Sequence, residues 1–265
     1  MANTVVFDIE TYRRDWQVRK ARSEDLDPEE NTVITVGFFD GKDLSISPVI
    51  EGLEDEGKPV QFFLERLEMI EGSVLVGYNI LHFDIPYLVH KSKATGKNVD
   101  IARFRPLDLF WILPYWLHNI PSGREFFKGV SYLGNIWSFE NIVKHILREK
   151  SNPFTNKDIF ELWEKRRFAD IEKHLEVDLR YTFSFLNSAI MQETLNSIQG
   201  SRFERSYCKG VCPFHRLLQK TRESAYSYCT LFCEIMKGET QQTAIDVIVQ
   251  DLPERSASWI PRCLP

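Results

Sequence analysis

The stretch "VVFDIET", residues 5–11, closes an apolar run with two carboxylates one residue apart. Side chains i and i+2 of a strand share a face, so Asp8 and Glu10 converge on one spot. Two like charges so placed are costly unless a cation lies between them. Further acidic side chains are therefore to be sought downstream. One stands in "VGYNILHFDIPYL" (76–88), where Asp84 falls at the start of a helix. Alone, an Asp in that position is a cap. Asn79 offers an amide in the preceding loop, and Tyr78, Phe83 and Tyr87 set aromatic faces around it, a setting that can stack a base and hold a phosphate. The third segment, "DIEKHLEVDLRYTFSFL" (170–186), places Asp170, His174 and Asp178 at i, i+4 and i+8 along one helical face. Leu175, Leu179, Phe183 and Leu186 supply its core side.

Each segment has a bland explanation; the set has a chemical one. Strand-end Asp8 and Glu10, helix-start Asp84 and helix-face Asp178 offer hard oxygen ligands, which suit Mg²⁺ or Mn²⁺ rather than zinc. Two such ions about 4 Å apart activate a water and stabilise the leaving oxygen of a phosphodiester. His174, one turn before the last carboxylate, has the near-neutral intrinsic pKa of a general base for that water.

The elements that must position these groups read as follows. Residues 3–9 form a buried strand; 31–40 and 44–50 form two more, joined at Asp40-Gly41, a hairpin signal. Residues 60–70 have helical periodicity and end at Gly72. A strand at 73–79 leads to a helix beginning near Phe83, and 104–110 is the fifth strand. From there to about residue 198 the pattern is helical, with a capping box at Thr155–Asp158. A three-strand meander followed by strand–helix–strand–helix implies an α/β fold, a mixed five-stranded sheet flanked by helices.

The chain has 265 residues, 43% hydrophobic and 27% charged, which suits one substantial core and an appendage. Its longest apolar stretch, Leu109 to Leu117, is broken by Pro114 and is too short to span a bilayer. No basic leader or small-residue cleavage site precedes the first strand, so the expectation is a cytoplasmic protein without a membrane partner. A net charge of −5 argues against non-specific coating of nucleic acid but leaves room for a local basic rim. Lys91, Lys93, Lys97, Arg103 and Arg105 could supply that rim, or simply be solvated charge.

"FDIET", "GYNILHFDIPYL" and "IEKHLEVDLRYT" together resemble the three motifs of the DEDD 3′–5′ exonucleases, closest to the proofreading domain of family-B DNA polymerases and its stand-alone relatives. The likeness covers roughly residues 1–198 and implies a ribonuclease H-like fold. It implies that Asp8, Glu10 and Asp178 bind the metals and that Asp84 supports the second one largely through water. It further implies that Ile9 and Thr11 touch the terminal nucleotide, that Asn79 and Phe83 line the strand's path, and that the substrate is the 3′ end of single-stranded DNA or RNA. This chain departs from the pattern at one point. Family-B-like members carry Tyr four residues before the last Asp, where His174 stands here; the His-bearing branch usually spaces it one residue farther away.

Residues 199–265 form a cysteine-containing extension of unknown role. All five cysteines of the chain lie between Cys208 and Cys263. Cys208, Cys212, Cys229 and Cys233 could hold zinc or an iron–sulfur cluster, although the pairs are spaced more widely than in most zinc knuckles. Cys229 and Cys233 equally fit the buried face of a helix. The competing functional reading is a catalytically weak nucleic-acid-binding module whose tail binds metal or recruits a partner. Against it, carboxylates kept without metal only repel a polyanion.

Overall fold

The computed structural model describes residues 4–13, 30–71, 73–80, 83–96, 105–110, 120–130 and 138–200, with Leu113 and Trp116 between them. The cysteine extension, with Cys208, Cys212, Cys229 and Cys233, lies outside the described residues, as do Gly72, Lys97 and Arg103.

Five strands form one mixed sheet: β1 (Thr4–Tyr12), β2 (Thr32–Phe39), β3 (Leu44–Ile46), β4 (Val74–Gly77) and β5 (Arg105–Asp108), in the spatial order β3-β2-β1-β4-β5. β2 and β3 add antiparallel on one side of β1, while β4 and β5 add parallel on the other. This is the arrangement expected of a ribonuclease H-like sheet, with β1 at its centre. β3 is shorter than the sequence suggests because Pro48 has no N–H to give to the ladder. Pairing to β2 continues only as separate bonds, Ser47 N–H to the Val36 carbonyl at 2.9 Å and Ile50 N–H to the Ile34 carbonyl at 3.0 Å. The hairpin forms where Asp40-Gly41 predicts it: Gly41 takes φ +96°, and the Asp40 carboxylate accepts both the Lys42 and Asp43 amides at 2.8 Å.

The helices with described bounds include α1 (Gly57–Met69), α2 (Asp84–Ala94), α3 (Pro121–Val130), α4 (Asn156–Glu164), α5 (Phe168–Leu186) and α6 (Ala189–Gly200). None of the described helices is long and apolar enough to cross a membrane. The described residues divide into two compact units, one taking residues up to 108 together with 151–183, the other taking 109–150 together with 184–200. In the second unit Trp116 is buried, its ring 5.1 Å from Phe126 and its Nε1 donating to Ser122 Oγ at 3.1 Å.

The first unit holds the sheet, and the two faces of β1 are packed differently. Phe7, Phe38 and Phe63 form an aromatic triangle with centroid spacings of 6.0–6.1 Å between sheet and α1. The opposite face, carrying Asp8 and Glu10, receives α5. Gly37 lies directly across from Asp8 in the ladder and makes this approach possible. A Cβ added at Gly37 would stand 2.6 Å from Leu179 Cδ1 and 3.1 Å from Leu175. Any side chain there would force Leu179 and Leu175 to move from their packing against the sheet. We therefore expect Gly37→Ala to lower stability by about 1–3 kcal/mol, the usual cost of overpacking a core. Thermal unfolding measures this directly, and an unchanged melting temperature would show that α5 does not depend on the glycine.

α4 is begun by the expected capping box, with the Thr155 N–H donating to the Asp158 carboxylate at 2.6 Å. It buries Ile159 and Leu162 in a cluster with Tyr12, Ile34, Val49, Ile50 and Ile171. Trp163 fixes the edge of that cluster, stacking 4.2 Å from Tyr12 and donating Nε1 to the Ile50 carbonyl at 2.9 Å. These contacts anchor the far end of β1, so the strand that carries Asp8 and Glu10 is held from both faces.

Candidate active site

Asp8 and Glu10 point from the same face of β1, as the period of two requires. A register shift follows Glu10: Glu10 pairs with Thr35 but Thr11 pairs with Val33, so Ile34 is the extra residue. Such bulges redirect a strand locally. Ile9 and Thr11, expected beside a terminal nucleotide, are both buried.

Asp84 arrives from α2. It is the first residue of the helix, yet it does not serve as a cap. Its Oδ1 instead accepts the Ile9 N–H at 3.0 Å, across 75 residues of sequence, and the same N–H lies 3.0 Å from Asp8 Oδ1. The backbone of β1 thus ties the first and third acidic side chains together. The turn that delivers Asp84 is itself held: Asn79 adopts φ +67°, and its N–H donates at 2.8 Å to the buried Asp108 carboxylate at the end of β5. An Asn tolerates this left-handed conformation better than most residues. Phe83, half-buried, packs its ring 4.5 Å from Tyr87. Lys91 is drawn away from any basic rim by an ion pair with Glu56 at 3.0 Å.

Asp178 and His174 come from adjacent turns of α5. His174 Nε2 lies 3.3 Å from Glu10 Oε1 and 3.4 Å from Asp178 Oδ2. One ligand atom from each of Glu10, His174 and Asp178 falls within 4.8 Å of the other two. Asp170 does not join them, although it shares their spacing. Eight residues turn a helix about 80° past two full rotations, and Asp170 pairs instead with Arg167 at 2.5 Å.

Asn152 was not legible as a site residue. In the loop ahead of α4, its Nδ2 donates to Asp178 Oδ1 at 2.8 Å and to the His174 carbonyl at 3.1 Å, while its Oδ1 accepts the Phe154 N–H at 3.3 Å. It locks the Asp178 carboxylate to the loop. The only sequence signal is an Asn-Pro turn just before a capping box, which says nothing about what the amide reaches.

The electrostatics follow from this crowding. Burial, then the charges of Asp84, Glu10 and Asp178, push the Asp8 pKa well above the usual carboxylate range. Glu10 is raised in the same way, by burial and then by Asp178 and Asp84. Asp84 is raised to about 6 by burial, against the opposing hydrogen bonds from Asp8 and from the Ile9 amide. Asp8 and Asp84 are in contact and both raised, so they titrate together as a pair. Burial raises Asp178 and lowers His174, disfavouring the charged form of each. Four carboxyls that resist ionisation in each other's company are what a divalent cation relieves. A buried histidine with neither ring nitrogen hydrogen-bonded adds an unused donor atom to the same place. The residues present thus fit a divalent metal.

No family profile matches the sequence. Among individual proteins, the chain is 30% identical over 100 residues to DNA polymerase 2 of Aeropyrum pernix, covering 37% of this chain. It is 23% identical over 197 residues to a DNA polymerase of Methanocaldococcus jannaschii, covering 68% of this chain. In both cases the matched stretch spans only 11% of the relative's length. A solved family B DNA polymerase from Pyrobaculum calidifontis aligns over 74% of this chain and 25% of its own, with 18% identity and a TM-score of 0.47. The kinship with DNA polymerases expected from the three motifs is borne out by the two sequence matches.

Proposed function

We propose that the protein is a metal-dependent 3′–5′ exonuclease that removes nucleotides from the 3′ end of single-stranded nucleic acid, with DNA as the preferred substrate. The observation that carries this is the meeting of Asp8, Glu10, Asp84 and Asp178, from three separate stretches of sequence, at one end of β1. Sequence similarity to polymerases supports DNA as substrate, and the order of the three motifs supports a proofreading-type hydrolase.

In this reading Asp8, Glu10 and Asp178 hold the cations directly and Asp84 supports one of them. Bound there, divalent ions supply Lewis-acid stabilisation of the phosphoryl oxygens and lower the pKa of an attacking water. The chain's own contribution is positional. Ile9 lends its N–H to fix Asp8 against Asp84, and both Ile9 and Thr11 are buried in the strand beside these carboxylates. Phe83 offers a ring for stacking beside the acidic end, and Asn79 shapes the turn that leads to it.

A 5′-labelled single strand incubated with Mg²⁺ or Mn²⁺ should shorten one nucleotide at a time from the 3′ end, and EDTA should stop it. An RNA strand in parallel reads the sugar preference. Intact label after prolonged incubation with either ion would refute the reading. Because Asn152 orients Asp178, Asn152→Ala should lower the rate about 10–100-fold, the range typical of residues that support a metal ligand. Asn152→Asp should be worse still, since it faces Asp178 with a like charge. Rates within twofold of wild type would remove Asn152 from the site.

A further inference from the structure

We infer that His174 is itself a metal ligand, through Nε2, to a first-row divalent ion shared with Glu10 and Asp178, and that this position favours such an ion over Mg²⁺. The inference deepens the proposed function and rests on its metal reading. It assigns His174 a role other than that of the general base.

Three observations carry it. The first is distance. Nε2 stands 3.3 Å from Glu10 Oε1 and 3.4 Å from Asp178 Oδ2. Two atoms bound at about 2.1 Å to one ion, at angles between square and tetrahedral, are themselves about 3.0–3.4 Å apart. The second is the lack of any other use for the ring. His174 is 2% exposed, yet neither Nδ1 nor Nε2 makes a hydrogen bond, even with two carboxylate oxygens so near Nε2. A general base needs access to the water it deprotonates, and a ring so enclosed offers almost none. A nitrogen lone pair aimed at two carboxylates is repulsive without a cation and favourable with one. The third is helical geometry. His174 and Asp178 sit at i and i+4 on rigid α5, the spacing by which helices chelate a single ion from adjacent turns.

Ligand type then sets selectivity. Mg²⁺ prefers an all-oxygen shell and keeps several of its waters, whereas imidazole suits first-row transition ions. Among the described residues, no other group of three potential ligands shares this proximity. The Phe154 backbone acceptor lies beside the imidazole. Ligating histidines commonly direct their second nitrogen to such a group.

The test uses the wild-type chain with half an equivalent of Mn²⁺ and pulsed electron paramagnetic resonance. A ¹⁴N modulation from directly bound imidazole is expected, replaced by the ¹⁵N pattern when the histidines alone are ¹⁵N-labelled. His174→Gln and His174→Asn should abolish the coupling and weaken Mn²⁺ binding about tenfold or more, while Mg²⁺ affinity changes less than about threefold. The wild-type spectrum does not depend on either variant folding. Stoichiometric Mn²⁺ binding without nitrogen coupling would overturn the ligand assignment and leave the exonuclease reading standing. Coupling that persists in His174→Gln would do the same. Failure to bind Mn²⁺ at all would overturn both.

Discussion

Replacing Asp178 or Asp8 by Asn is expected to cut hydrolysis about 10³-fold or more while leaving the metal-free protein at least as stable as wild type. The rate falls because each residue is proposed to hold a cation directly, and losing one ligand of a preorganised charge-stabilising site costs on the order of 10²–10³ by itself. The stability outcome has a different origin. Burial and the charges of Asp84, Glu10 and Asp178 disfavour the ionised form of Asp8, so a neutral isostere removes a repulsion. In Asp178→Asn the new amide keeps an oxygen that can still accept from Asn152 Nδ2, now 2.8 Å from Asp178 Oδ1. Single-turnover rates and thermal unfolding in EDTA, measured on the same preparations, check both halves. A variant within tenfold of the wild-type rate would contradict the assignment, and a large loss of stability would attribute the rate loss to unfolding.

The second large effect is on pH dependence. Asp8, Glu10, Asp84 and Asp178 all have folded pKa values above their ordinary ones, with Asp84 at about 6. A carboxyl of this kind makes the folded state bind protons more tightly than the unfolded one. Its contribution is fully present below about pH 4 and is lost as pH rises through the folded value. His174 works the other way, since a lowered pKa favours the folded state as pH rises past about 6.5. Asp40, Asp158 and Glu176, lowered by local hydrogen bonds, oppose the trend only near pH 4 and below, and at the surface. Asp8, Glu10 and Asp84, the strongly raised carboxyls, outweigh one imidazole above about pH 5. The metal-free protein should therefore lose stability across that range. Between pH 5.5 and 8 Asp84 alone supplies on the order of 1 kcal/mol of this loss, a shift of about 2–4 °C for a chain of this size. Saturating Mn²⁺ should cancel the loss, because the ion binds the ionised carboxyls and competes with their protons. Melting curves at pH 5.5 and 8, with EDTA or Mn²⁺, give the four numbers needed. Equal melting temperatures in EDTA at the two pH values would show that the carboxyls do not repel one another as their positions require.

How much of this could be read from the sequence differs between kinds of residue. Asp8 and Glu10 were visible because a strand's period of two puts them on one face whatever the sheet does. The hairpin at Asp40-Gly41 and the capping box at Thr155–Asp158 were visible because local hydrogen bonding decides them. The mixed five-stranded sheet followed from the meander and the strand–helix alternation. Gly37 was not visible, because its importance lies in Leu179 and Leu175, which are distant in sequence and meet it only when α5 docks. Asn152 was hidden for the same reason, since its partners lie 22 and 26 residues away on a helix that had to be positioned first. Helical spacing placed His174 and Asp178 together but also suggested Asp170, which the accumulated rotation carries to the surface and to Arg167. The identity of His174 was evident; that its Nε2 faces Glu10 and Asp178 was a property of two elements meeting, not of either alone.

The most direct test of the whole is the anomalous scattering of Mn²⁺ in crystals of the wild-type chain. Two peaks about 4 Å apart are expected in the pocket bounded by Asp8, Glu10, Asp84 and Asp178, with one of them also touching His174. Manganese found only elsewhere on the chain, with those four carboxyls left bare at saturating ion, would contradict the central claim.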